Sequence, residues 1–164
     1  MDELATQYEV VFLPSTPEDV EMSKMIAAKM RNKQSVKIIV TNDVNKYESL
    51  IRSLRLLIST RMHPSIIAAR NYIPFISIIY DHKQVGFLLQ IGLKKFSLYI
   101  SEVSYEKLKL KINEITQNYD KIQELLQHTI PELQSKLLRE MINWTKNLTN
   151  STIVNFYDAS RRFV

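Results

Sequence analysis

Two short runs hold most of the side chains that could handle an anion. They are Ser59-Thr60-Arg61-Met62-His63 and Tyr80-Asp81-His82-Lys83, which between them carry two of the chain's three histidines. An arginine presents a planar fork of donors that matches a phosphate or a carboxylate. A histidine beside it can donate to the same anion or serve as an acid. Pro64 follows His63 directly and suits the first turn of a helix. Arg61, His63 and the unpaired N–H groups of that helix start would then face one crevice, a plausible site for a phosphate or carboxylate. Two further loops carry small polar groups: Ser15-Thr16, ahead of Pro17-Glu18-Asp19, and Thr41-Asn42-Asp43.

Each of these residues also has a plainer reading. Arg61 can pair with Asp81, and a lone His63 before proline can be a capping or half-buried structural histidine. Lys83 can be a surface lysine, Asp19 a first-turn acid and Ser15 a cap. Asn42 and Asp43 suit a turn, Tyr80 reads as a packing residue, and His128 reads as surface. No metal site is read, because His63 and His82 lack carboxylate or cysteine companions at ligand spacing.

The elements that must position these loops follow from periodicity. Short apolar runs at Glu9–Leu13, Val36–Val40, Leu56–Ile58 and Phe75–Ile79 read as buried strands, with Phe96–Ile100 as a last edge strand. Between them lie helical stretches: one from Pro17 with Met22, Met25, Ile26 and Met30 as its buried stripe, then Lys46–Leu54, Pro64–Asn71 and Gln84–Ile91. Strands alternating with helices predict an α/β fold, a Rossmann-like, doubly wound parallel sheet with helices on both faces. In such sheets ligands sit beyond the carboxyl ends of the strands, which selects the four loops above.

After Ser104 the pattern becomes wholly helical. Leu108, Ile112, Ile115, Tyr119, Ile122 and Leu126 form a heptad-like seam, broken at Asn118–Lys121 and ended by Pro131. A second helix is expected from Pro131 to Leu148, with Leu133, Leu137, Met141, Trp144 and Leu148 inside. The seam is short for a coiled-coil hairpin, so 104–148 is expected to close the fold by packing on the sheet. Residues 1–8 look like the end of a helix, and 154–164 resist assignment. No linker or repeat divides the chain, so 1–164 is expected to be one domain.

Composition narrows the chemistry. Two glycines in 164 residues cannot build a Walker-type phosphate loop or a dinucleotide-binding fingerprint, and zero cysteines exclude a thiolate metal site, a disulfide scaffold and a cysteine nucleophile. The net charge of +5 is scattered among acids, as on a solvated surface rather than a nucleic-acid footprint. No apolar run approaches the ~20 residues of a membrane span, and the acidic Met1-Asp2-Glu3 start is unlike a signal peptide. A soluble, cytoplasmic protein is expected. Asn-x-Ser/Thr patterns at Asn143, Asn147 and Asn150 read as chance composition.

The segment Leu56–Leu93 resembles the signature region of the polysaccharide pyruvyl transferase family. Arg61-Met62-His63, the small-residue helix Ser65–Ala69, Pro74, Tyr80-Asp81-His82-Lys83 and Gly86-Phe87 carry the likeness in order and spacing. Val11–Asp19 resembles the family's earlier strand–Ser–acid turn, and Asn118–Leu148 its closing helices. The resemblance implies transfer of a pyruvyl group from phosphoenolpyruvate to a sugar of a polysaccharide, as a ketal, in exopolysaccharide biosynthesis. It implies two Rossmann-like domains of GT-B type, of which this chain corresponds to the C-terminal, donor-side half. The acceptor domain would lie elsewhere, in a missing N-terminal domain or a partner chain, and by the same likeness the half's own first strand is expected to be missing.

By that likeness Arg61 and His63 are the catalytic pair. Ser15, Ser59, Thr60, Tyr80 and Lys83 join them in binding substrate, and phosphoenolpyruvate is a donor rather than a cofactor. Two other functions stay open: a nucleotide-sugar transferase half, in which Asp43 or Asp81 would hold a ribose, and a non-catalytic interaction domain pairing through Leu108–Leu148.

Overall fold

The computed structural model describes residues 2–148. Asn150 and the stretch 154–164 lie outside them. The fold is α/β, with parallel strands flanked by helices, and it divides into two compact units at Leu54/Arg55.

The first unit runs α1 (Asp2–Gln7), β1 (Val10–Phe12), α2 (Pro17–Lys29), β2 (Val36–Ile38) and α3 (Val44–Arg52). β1 and β2 pair in parallel, Val10 opposite Val36 and Phe12 opposite Ile38. The helix expected before the first strand is present. Asp2 accepts the Arg31 N–H at 2.7 Å and Asn32 donates to the Ala5 carbonyl at 2.6 Å, which ties α1 to the end of α2. The predicted face of α3 is also found: Ile51 is buried, and Tyr47, Leu50 and Leu54 are half-buried.

Of the stripe predicted on α2, Met30 is buried as expected and the other three residues are not. Met22 and Met25 are each 56% exposed and Ile26 is exposed too, while Ser23 takes the buried position between them. Ser23 is small and satisfies its hydroxyl on the Asp19 carbonyl at 2.7 Å, so it lets the helix approach closely. A unit with two three-residue strands offers too little apolar surface to cover a methionine stripe as well.

The second unit runs β3 (Leu57–Ser59), α4 (Met62–Arg70), β4 (Phe75–Ile79), α5 (His82–Gln90), β5 (Ser97–Tyr99), α6 (Tyr105–Gln117) and α7 (Tyr119–Leu148). Its strands pair in parallel in the order β3-β4-β5, so the described strands make two sheets. Leu57 lies opposite Phe75, and Ser77 opposite Ser97. The central strand β4 is almost wholly buried, which is why Phe75-Ile76-Ser77-Ile78-Ile79 reads as a run rather than an alternation. Ile76, Ile79, Leu88, Ile91, Leu93, Ile115 and Leu126 complete this core.

α4 and α5 end alike. Tyr72 N–H donates to the Ala69 carbonyl and Ile73 N–H to Ala68; Gly92 N–H donates to Leu89 and Leu93 N–H to Leu88. Both are Schellman caps, and each turns the chain so that the next residue, Ile73 or Leu93, drops into the core. The motif needs a left-handed residue, supplied by Gly92 at φ 72° and by Tyr72 at φ 59°. A Cβ on Gly92 would also meet Leu125 Cδ2 at 3.3 Å. Gly92→Ala is therefore expected to destabilise the unit by about 1–2 kcal/mol, read as a lower urea midpoint with unchanged slope.

The seam residues Ile112, Ile115, Ile122 and Leu126 are buried within this unit, with Leu108 and Tyr119 half-buried. They pack within this unit. Arg55 stacks over the Tyr119 ring at 5.5 Å, and Gln123 donates to the Tyr72 carbonyl at 3.2 Å, fastening the start of α7.

Two expectations for α7 are corrected. The helix does not stop at Pro131 but passes through it, and the break falls at Asn118. Proline removes one bond, to the Gln127 carbonyl, yet Gln127 and Pro131 are both exposed, so water can serve that oxygen. Nor are Leu137, Met141 and Trp144 inside: they are 58%, 65% and 59% exposed.

Candidate functional site

β3 and β4 are parallel neighbours, so their carboxyl ends lie side by side and bring Ser59–His63 next to Tyr80–Lys83. The first loop is locked by its own hydroxyls. Ser59 Oγ donates to the Arg61 carbonyl at 2.8 Å and accepts the Arg61 N–H at 3.1 Å, and Ser65 Oγ adds a bond to the same carbonyl at 3.2 Å. Ser59 and Ser65 are buried, so these hydroxyls hold the backbone of Arg61.

α4 begins at Met62, two residues before the expected start, and makes Arg61 its N-cap with extended backbone angles. Arg61 makes no side-chain cap bond there. The N–H groups of Met62 and His63 belong to the first turn and have no intrahelical acceptor, and Pro64 has none to satisfy. The first-turn dipole thus adds to the positive end of a loop that already carries Arg61, half-buried, and His63, exposed. Thr60, directly before Arg61, is exposed.

The second loop is built on a capping box. α5 starts at His82, so His82 and Lys83 stand on its first turn rather than in a loop. Asp81 Oδ1 accepts the Lys83 N–H at 2.8 Å and lies 3.2 Å from His82 Nδ1, while Gln84 closes the box in return. His82 and Lys83 are exposed. Tyr80 is 59% exposed and does not pack as its apolar neighbours suggested, because the strand ends one residue earlier.

The remaining predicted residues lie in the first unit. Ser15 is exposed, and both its N–H and its hydroxyl donate to Asp19 Oδ2, at 3.3 and 3.2 Å. Thr16 caps α2 by accepting the Asp19 N–H at 3.3 Å. Asp43 caps α3 through the N–H groups of Asn45 and Lys46, and Thr41 accepts the Asp43 N–H. His128, on α7 of the second unit, is on the surface, 3.5 Å from Glu132. No group of three metal-ligating side chains occurs among the described residues, and no helix among them is long and apolar enough to cross a membrane.

One residue escaped sequence reasoning. Gln84 was expected only as the first residue of a helix, yet its amide is buried and bonds both loops. The signal was present as Asp81-x-x-Gln84, the spacing of a capping box.

This geometry can be set beside known proteins. The sequence profile described as polysaccharide pyruvyl transferase matches residues 1–82, half of the chain, running from α1 through Arg61 and His63 to His82. This chain belongs to the polysaccharide pyruvyl transferase family. The match to the pyruvyl transferases ends before Lys83 and Gly86-Phe87 and before α6 and α7. Among curated proteins, the chain is similar to the amylovoran biosynthesis protein AmsJ of Erwinia amylovora, 26% identical over 96 residues. That alignment covers 57% of this chain and 23% of the relative, so the chain spans less than a quarter of that protein's length. No solved structure matches the chain at a significant level.

Proposed function

We propose that the second unit is the donor-binding part of a pyruvyl transferase of GT-B type, using phosphoenolpyruvate to place a ketal on a sugar during exopolysaccharide biosynthesis. The observation that carries this reading is the loop Ser59–His63. Its backbone is locked by two buried serines, and it presents Arg61 and His63 at the N-terminus of α4 beside the Asp81–Lys83 turn. Phosphoenolpyruvate has two anionic groups, and such a loop offers a guanidinium fork, an imidazole and first-turn N–H groups to meet them.

The chemistry asked of the site is balanced as follows. C3 of the enol takes a proton, and the C2–O bond to phosphate breaks, the phosphate keeping the electron pair. Two hydroxyls of the sugar form C–O bonds at C2 and release two protons, one equivalent to that gained by C3 and one carried off by phosphate. In this scheme Arg61 clamps an anionic group, His63 bonds the phosphate or delivers the proton, and Lys83 adds charge at the rim. The acceptor sugar would be held by a further domain or a partner chain.

A nucleotide-sugar donor fits less well. It would call on Asp43 or Asp81 for a ribose, and both give a carboxylate oxygen to helix caps. The reading as an interaction domain draws on the exposed Leu137, Met141 and Trp144 of α7, and a dimer seen by mass in solution would favour it.

The deciding experiment is a titration of the purified chain followed by backbone amide NMR, with phosphoenolpyruvate and a nucleotide-sugar in parallel. Saturable shifts confined to Ser59–His63 and Asp81–Lys83, with phosphoenolpyruvate alone, are expected. Shifts with the nucleotide-sugar only, or shifts elsewhere, would discard the donor assignment. In the same assay His63→Ala should weaken binding by about 2- to 10-fold, the worth of one hydrogen bond to an anion partly open to water.

A further inference from the structure

We infer that Gln84 is the positioning residue that sets Arg61 against the α5 turn, an assignment that rests on the donor-site reading above. Gln84 is 2% exposed. Oε1 accepts the N–H groups of Tyr80 at 3.0 Å and Asp81 at 3.2 Å. Nε2 donates to the Thr60 carbonyl at 3.0 Å, with Ser77 Oγ at 3.3 Å and the Ile78 carbonyl at 3.4 Å as further acceptors. The orientation of the amide is determined by its surroundings. Turned over, it would set an NH2 against two N–H donors and an oxygen against two carbonyls.

The reason for this arrangement lies in the ends of the strands. Pairing between β3 and β4 stops at Ser59 opposite Ser77, while β4 continues to Ile79. Thr60 and Arg61 have therefore left the ladder, and no sheet bond holds their height over the β4 turn. The amide of Gln84 replaces the missing rung, joining a carbonyl of one loop to two N–H groups of the other. An ordinary capping box needs only the bond back to the N-cap N–H; the bond to Thr60, 24 positions away in sequence, serves nothing in α5 itself. Thr60 is followed directly by Arg61, whose own N–H and carbonyl are held by Ser59. Ser59 and Gln84 together thus decide where the guanidinium starts.

The test compares the wild-type chain with Gln84→Met and Gln84→Glu, each studied well below its melting temperature. In the ligand-free proteins, amide exchange of residues 59–63 is expected to quicken about tenfold or more in Gln84→Met, beyond any change in the α7 core amides. The dissociation constant for phosphoenolpyruvate should rise about tenfold or more, as misplacement of a clamp would require. Gln84→Glu puts a carboxylate oxygen opposite the Thr60 carbonyl. Its affinity relative to wild type at the same pH should recover as the solution is made acidic and the carboxyl regains a proton to donate. A residue that merely stabilises α5 would lower the melting temperature in both variants and leave loop exchange and relative affinity unmoved, which overturns the inference. A wild-type chain that does not bind phosphoenolpyruvate defeats the donor-site reading instead; loop exchange then decides Gln84 alone, quickening upholding it and no change rejecting it.

Discussion

Replacing Arg61 by alanine is expected to weaken phosphoenolpyruvate binding by about 10- to 100-fold, the range for losing hydrogen bonds to a charged group. The loop should survive the change. Its backbone bonds to Ser59 and Ser65 involve the N–H and carbonyl of residue 61, which alanine keeps. Arg61→Lys is the sharper comparison, because it preserves the charge and removes the fork. A bidentate clamp predicts that lysine recovers less than half of the lost free energy, whereas a purely electrostatic role predicts nearly full recovery with a steeper salt dependence. Calorimetric titration of both variants at two salt concentrations checks this. Wild-type affinity in both would remove Arg61 from the donor site.

Phe75→Ala should cost about 3–5 kcal/mol of stability, a large share of what a domain of this size possesses. Phe75 is 1% exposed, lies opposite Leu57 at the start of the β3–β4 pairing, and stacks on Phe87 of α5 with ring centroids 6.5 Å apart. Removing the ring opens a cavity between the strand that leads to Tyr80–Asp81 and the helix that begins there. Urea unfolding followed by far-UV circular dichroism is the measurement, and Phe75→Leu should lose less than half as much. A loss below about 1 kcal/mol for Phe75→Ala would mean that the unit can close the cavity. The consequence for the site is direct, since Asp81 and Gln84 depend on the same strand–helix join.

Much of the architecture was legible because its causes are local. Val-Val-Phe, Val-Lys-Ile and Phe-Ile-Ser-Ile-Ile are strands in the structure because β-branched and aromatic residues fit a pleated surface, and Thr16 starts α2 because its side chain serves an N–H group three residues on. The loop bearing Arg61 and His63 was legible for the same reason: it lies between a strand and a helix that each announce themselves. Helix starts at α4 and α5 came out two residues late, since Met62-His63 and His82-Lys83 carry polar groups that resemble a loop until Pro64 and Gln84 are seen to occupy the first turn.

Burial was less legible. Helical period says that Met22, Met25 and Ile26 share a face, as do Leu137, Met141 and Trp144, but says nothing of what covers that face. The two stripes look like those of Ile112, Ile115, Ile122 and Leu126, which are buried. Only the supply of neighbouring surface separates them. The passage of α7 through Pro131 is a similar case, since a proline costs a helix far less where water can satisfy the freed carbonyl.

By itself, then, the sequence determined the order of strands and helices and the loops where chemistry could lie, because each of these is settled by residues within a few positions of one another. Tertiary structure alone decided that the hydroxyl of Ser59 serves the backbone of Arg61, that Tyr80 faces solvent, and that Gln84 joins Thr60 to Asp81. Those outcomes depend on which strand end stands beside which, and parallel pairing brings together loops whose distance along the chain gives no sign of their contact.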